Sequence, residues 1–141
     1  ISSAFPRFHD IYQRAGVRNY WGYLGDRQGG IFRETLSRGM TNSSAIAQIL
    51  TWNDFGVGTM VEPTQEYGFR DLGILQDLRR VHLEPGFSAK TNDLTLAFQF
   101  YNLRRQCATN AAASNEFDEI FSNMVSMNLD AARRKLGKLL K

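Results

Sequence analysis

The chain has 141 residues, 43% apolar and 22% charged, with a net charge of +3 and a single cysteine. These values suit one globular domain and exclude low-complexity disorder, collagen and a disulfide scaffold. No apolar run approaches the roughly 18 residues of a membrane span.

Phe5, Phe8, Ile11 and Tyr12 recur at helical spacing. With Pro6 in a first turn and Gly16 as a stop, they predict a short helix over about 5–15. Val17–Gly30 follows, with Gly22, Gly25, Gly29, Gly30 and the clustered rings of Tyr20, Trp21 and Tyr23. That mix predicts a loop or a short strand pair. Ile31–Arg38, closed by Gly39, reads as a second short helix. Thr41–Ser44 offers N-caps for a third through Trp52, with Ile46, Ile49 and Leu50 as its buried side. Residues 53–64 are a turn-rich link.

Leu72, Ile74, Leu75, Leu78 and Val81 predict a helix over about 66–83, stopped by Pro85-Gly86. Asn92-Asp93 caps a longer one through about Ala112. Its polar residues, Gln99, Asn102, Gln106 and Asn110, form a narrow stripe. A helix apolar over the remaining arc is expected to be packed from two sides. Ser114 or Asn115 caps the next helix, with Glu116, Asp118 and Glu119 favourably placed in its first turn. Phe117, Ile120, Phe121, Met124 and Val125 form its core side. Asn128 caps a last helix over 129–140. The expected fold is mainly α: one domain over 1–141, with about six helices around a central helix near 92–112 and an irregular Gly/aromatic-rich segment near 17–30.

Charge is unevenly spread. Residues 129–141 hold five cations and one acid, net +4, so residues 1–128 carry −1. With Leu136, Leu139 and Leu140 beside the cations, 129–141 reads as a basic amphipathic docking tail. Residues 1–128 contain eleven arginines and one lysine, Lys90. Guanidinium suits partly buried contacts with carboxylates, phosphates and carbonyls, so the bias suggests interfaces. One cysteine allows no internal disulfide, which points to a reducing, intracellular or organellar compartment over secretion. The first residues carry no signal-peptide pattern, since Pro6 interrupts and no basic segment leads an apolar core.

No catalytic constellation stands out. His9-Asp10 and His82 with Glu84 each lack a nucleophile. Cys107 lies on an apolar helix face and reads as a small core hydrophobe. Two histidines and one cysteine cannot make a Cys/His zinc cluster, and no cofactor or metal is expected. The 22–30 glycines fit neither a dinucleotide fingerprint nor a P-loop. Arg18, Tyr20, Trp21, Tyr23 and Arg27 form an Arg/aromatic cluster suited to a protein interface or to stacking on bases. Arg133, Arg134, Lys135, Leu136, Lys138 and Leu140 form the second candidate surface.

The stretch Asp93-Leu-Thr-Leu-Ala-Phe-Gln-Phe-Tyr101 resembles the Ala-Phe-Asp-Phe-Tyr segment of flexible filamentous plant-virus coat proteins. The resemblance spans under a tenth of the chain, and no residue role is carried over from it. The expected function is a non-catalytic structural or linker subunit, with other subunits of an assembly as its partners. An RNA-binding coat or nucleoprotein is the first alternative, and an enzyme with an unrecognised site the second.

Overall fold

The computed structural model describes residues 1–43, 45–107 and 114–140. The Ser44 cap, the end of the helix expected to reach Ala112 (including Asn110) and Lys141 lie outside the described residues. The described chain is mainly helical, with five α-helices and four very short strands. Its contacts divide it into two compact units, Ile1–Phe87 and Ser88–Lys141.

The first unit contains β1 (Ser2–Ala4), β2 (Phe8–His9), β3 (Tyr23–Leu24), α1 (Gly30–Thr41), β4 (Ala47–Ile49) and α2 (Arg70–His82). β1 runs parallel to β4, with Ser2 opposite Ala47 and Ala4 opposite Ile49. β2 runs antiparallel to β3, with Phe8 opposite Leu24 and His9 opposite Tyr23. The core joins Ala4, Phe32, Leu36, Val61, Ile74 and Leu78.

Two expected helices are absent, and each has a physical reason. Phe5 precedes Pro6, and the residue before a proline is driven out of the α region. The Phe5 amide instead donates to the Thr35 hydroxyl at 3.3 Å. One turn survives, Ala15 N–H to the Ile11 carbonyl at 3.2 Å, and Gly16 ends it at φ +69°. The helix expected over 41–52 is replaced by β4, whose backbone pairs with the N-terminal strand far away in sequence. Of the loop or strand pair expected within 17–30, the segment is mostly loop, with one short strand, Tyr23–Leu24, whose partner is β2.

α1 starts at Gly30, one residue before the expected Ile31. Arg27, Gln28 and Gly29 take positive φ in succession, and a Cβ on Gly29 would lie 2.6 Å from Ile74 Cδ1. Only glycine meets both conditions there.

The second unit contains α3 (Thr91–Gln106), α4 (Ser114–Val125) and α5 (Leu129–Leu139). Its core is Leu96, Phe100, Leu103, Phe117, Ile120, Ala132 and Leu136. Phe100 and Phe117 meet edge to face, 5.9 Å between centroids. α3 buries one stripe at i, i+4, i+7, while Phe98 is 57% exposed. The packing of this helix from two sides is therefore not seen. The Asp93 carboxylate accepts the Lys90 amide at 2.7 Å and closes its first turn. Asn128 holds the N-cap position of α5 without a side-chain cap bond.

Candidate interaction surfaces

The Arg/aromatic segment is organised by one buried carboxylate. Asp10 is 1% exposed. Its oxygens accept the Tyr12 amide at 2.9 Å, the Trp21 amide at 2.9 Å and the Arg18 guanidinium at 2.6 Å. The Tyr12 bond is an Asx turn, which the Asp side chain makes to the backbone two residues on. The Arg18 guanidinium carbon lies over the Trp21 ring, 3.5 Å from its centroid, and 4.6 Å from that of Tyr12. The His9 ring meets Tyr23 edge-on at 5.3 Å.

The other edge of β2 carries a second segment. The His9 amide donates to the Val57 carbonyl at 2.8 Å, and the Ile11 amide to Gly56 at 3.1 Å. Thr51 and Thr59 join their hydroxyls at 2.9 Å across the base of that turn. Between the two segments runs an open groove of about 510 Å³, walled by Phe5, Phe8, Trp21, Tyr23, Leu50 and Val57, with Asp54 among its lining residues. Trp21 is 68% and Tyr23 67% exposed, and Trp52 and Phe55 stand out at 54% and 53%. Tyr20 is also exposed.

Burial pushes the Asp10 carboxyl upward, but the Tyr12 and Trp21 amides and Arg18 outweigh it and hold it below its ordinary value. Its contribution to folding is then complete above the unfolded carboxylate pKa, about 3.9. It is lost as the pH falls through the lower folded value. Acidification below about pH 4 is thus expected to release Arg18 from the Trp21 ring. Trp21 emission in a Trp52→Phe background measures it. A signal flat through that acid range would contradict this account.

Arginine in the first unit is largely spent within it. Residues 1–87 hold nine arginines against nine carboxylates, with no lysine. All but Arg14 make ion pairs: Arg7 with Asp71, Arg18 with Asp10, Arg27 and Arg38 with Glu34, Arg33 and Arg80 with Asp77, Arg70 with Asp26 and Asp71, and Arg79 with Glu84. The arginine bias of this unit thus serves pairing within the chain, though Arg27, Arg33, Arg38 and Arg79 remain exposed in their pairs. Arg27, a candidate partner contact, remains exposed but is bound to Glu34.

The glycine loop before α1 is filled by its own aspartate. The Asp26 carbonyl accepts the Gly29 and Ile31 amides at 3.1 and 3.2 Å, and its carboxylate the Gln28 amide at 3.1 Å. Arg70 meets the same carboxylate at 2.6 Å. Burial raises this carboxyl, yet Arg70 and the Gln28 amide bring it below its ordinary value.

The histidines find other company than the sequence paired them with. Asp10 serves Arg18, and Glu84 serves Arg79 at 2.6 Å. His82 lies 3.3 Å from the Ser37 hydroxyl at an exposed position. Cys107 is a free thiol, partly buried against the core of the second unit. No group of three metal-ligating side chains occurs among the described residues, and no helix among them is long and apolar enough to cross a membrane.

On α5 the candidate residues separate by face. Leu136 is 1% exposed and sits in the core of its own unit. The view of this helix as a tail with no place in a compact core is corrected by that burial. Arg133 is taken by Asp93 and Asp130, and Lys135 by Glu119. Arg134, Lys138 and Leu140 are exposed. Comparison with family models, with curated proteins and with solved structures finds no match.

Proposed function

We propose that this chain is a non-catalytic structural or linker subunit that docks within a larger protein assembly. The observation that carries the reading is the exposed aromatic face of the first unit, with Trp21 and Tyr23 beside the groove. Large rings standing in solvent on an otherwise well-packed unit mark interaction surfaces. Trp and Tyr are the commonest anchors of protein interfaces. These rings are also held in place beforehand, by the Arg18 stack, the Asp10 bonds and the β2–β3 pairing, which lowers the entropy lost on docking. Arg134, Lys138 and Leu140 on α5 are a second contact in this reading, and Leu136 has no part in it.

The RNA alternative draws on the same rings, because bases stack on aromatic side chains. It fits this face less well. Phosphate binding needs free cations, and all the arginines of the first unit but Arg14 are in ion pairs with its own carboxylates.

Trp21→Ala tests the reading. Its backbone amide, which holds Asp10, remains. Size-exclusion of the native particle is expected to show the variant chain dissociated from its assembly, while its melting temperature shifts by only a few degrees. A variant that melts much earlier yet assembles normally would assign the ring to stability instead.

A further inference from the structure

The charged residue that lines the groove is a carboxylate without a counter-ion. Asp54 lines the groove, and its Oδ1 accepts the Gly56 and Val57 amides at 3.1 and 3.2 Å. It makes no ion pair among the described residues. Glu62 donates its backbone N–H to the Trp52 carbonyl at 2.9 Å, which sets it beside the same turn, and it too is without an ion pair there. No cation lines the groove: Arg18, beside it, is already held by Asp10 and Trp21, and Arg14, exposed and without an ion pair among the described residues, is not among the lining residues. The exposed rings of Trp21 and Tyr23 line the groove, one of them already carrying Arg18, and Trp52 and Phe55, which flank Asp54 in sequence, are exposed as well. Unpaired carboxylates and open π faces attract the same species, a cation on an apolar stem.

We infer that this face binds a basic apolar segment of a partner protein, an apolar side chain entering the groove and a neighbouring Arg or Lys meeting Asp54. The inference rests on the docking reading above and adds the sign of the partner's charge. A nucleic-acid backbone or an acidic peptide would meet Asp54 and Glu62 as like charges. A neutral segment would cover the half-buried Asp54 carboxylate and leave it desolvated without a counter-ion, which is costly.

The test uses the full chain and three capped peptides of equal length, alternating leucine with arginine, glutamine or glutamate. Binding is followed by calorimetry and by tryptophan emission. The Leu/Arg peptide is expected to bind about fivefold tighter than Leu/Gln, the most that one partly exposed ion pair supplies. The preference should shrink as salt is added. Leu/Glu should bind least. Asp54→Asn keeps the oxygen that accepts the Gly56 and Val57 amides, so the turn persists, and the Arg-over-Gln preference should collapse toward unity. Equal affinity for Leu/Arg and Leu/Gln, or a preference untouched by Asp54→Asn, overturns the inference while leaving the docking reading standing. No binding by any peptide also overturns it, and assembly by the Trp21→Ala protein decides the docking reading separately.

Discussion

Leu136→Ala is expected to unfold the C-terminal unit. The side chain is 1% exposed and packs with Leu96, Phe100, Leu103, Phe117, Ile120 and Ala132. Truncating a buried leucine costs about 2–5 kcal/mol through lost burial and the cavity left behind. A single core in so short a stretch of chain rarely supplies more than about 3–5 kcal/mol. The loss is therefore of the same size as the whole stability of the unit. Leu140→Ala is the control: that residue is 56% exposed and should change stability by less than about 0.5 kcal/mol. Urea unfolding of the full chain, followed by helical circular dichroism, measures both. A loss below about 1 kcal/mol for Leu136→Ala would return α5 to the role of a loose tail.

The same helix shows what the sequence revealed and what it concealed. The spacing of Leu129, Leu136 and Leu139 identified an amphipathic helix, and its bounds agree within one residue. Its partner was invisible, because the choice between an internal core and an outside groove depends on α3 and α4. Helices with a local signal were legible: α1, α2, α3 and α4 are each found near the predicted place, although α1 runs through Gly39 to Thr41 and α2 starts at Arg70 instead of near 66. The failures are non-local. β1 and β4 pair across more than forty residues, and no pattern in Ile46–Trp52 announces it. Near the N-terminus a local signal existed, since Phe5 precedes Pro6, but the apolar spacing outweighed it in the reading. Trp21 and Tyr23 were legible as candidates because glycines flank a window too crowded with rings to bury. Trp52 and Phe55 were missed because Trp52 was expected to end a helix and Phe55 to lie in a turn-rich link. The ion-pair network was missed altogether: its members Arg7 and Asp71 stand 64 residues apart.

That network yields the other large effect. Arg7 and Asp71 are an ion pair with side-chain exposures of 5% and 4%. Arg7 also donates to the Met60 carbonyl at 2.8 Å and lies 3.7 Å from the Tyr67 ring centroid, while Arg70 bridges Asp71 and Asp26. The pair ties the stretch between β1 and β2 to the first turn of α2. Asp71→Ala removes the carboxylate and leaves the buried Arg7 guanidinium with a carbonyl and a ring but no directly bonded counter-charge. Breaking a buried pair from one side costs about 3–5 kcal/mol, most of it the stranded charge. Removing both charges together avoids that penalty, so Arg7→Met with Asp71→Ala is expected to be more stable than Asp71→Ala alone. The first turn of α2 loses its favourable negative charge in either case, which accounts for only about 0.3–1 kcal/mol. Denaturant unfolding of the two single variants and the double closes the cycle. Losses that add within about 0.5 kcal/mol would mean that the two groups act independently and that the first unit does not depend on their pairing.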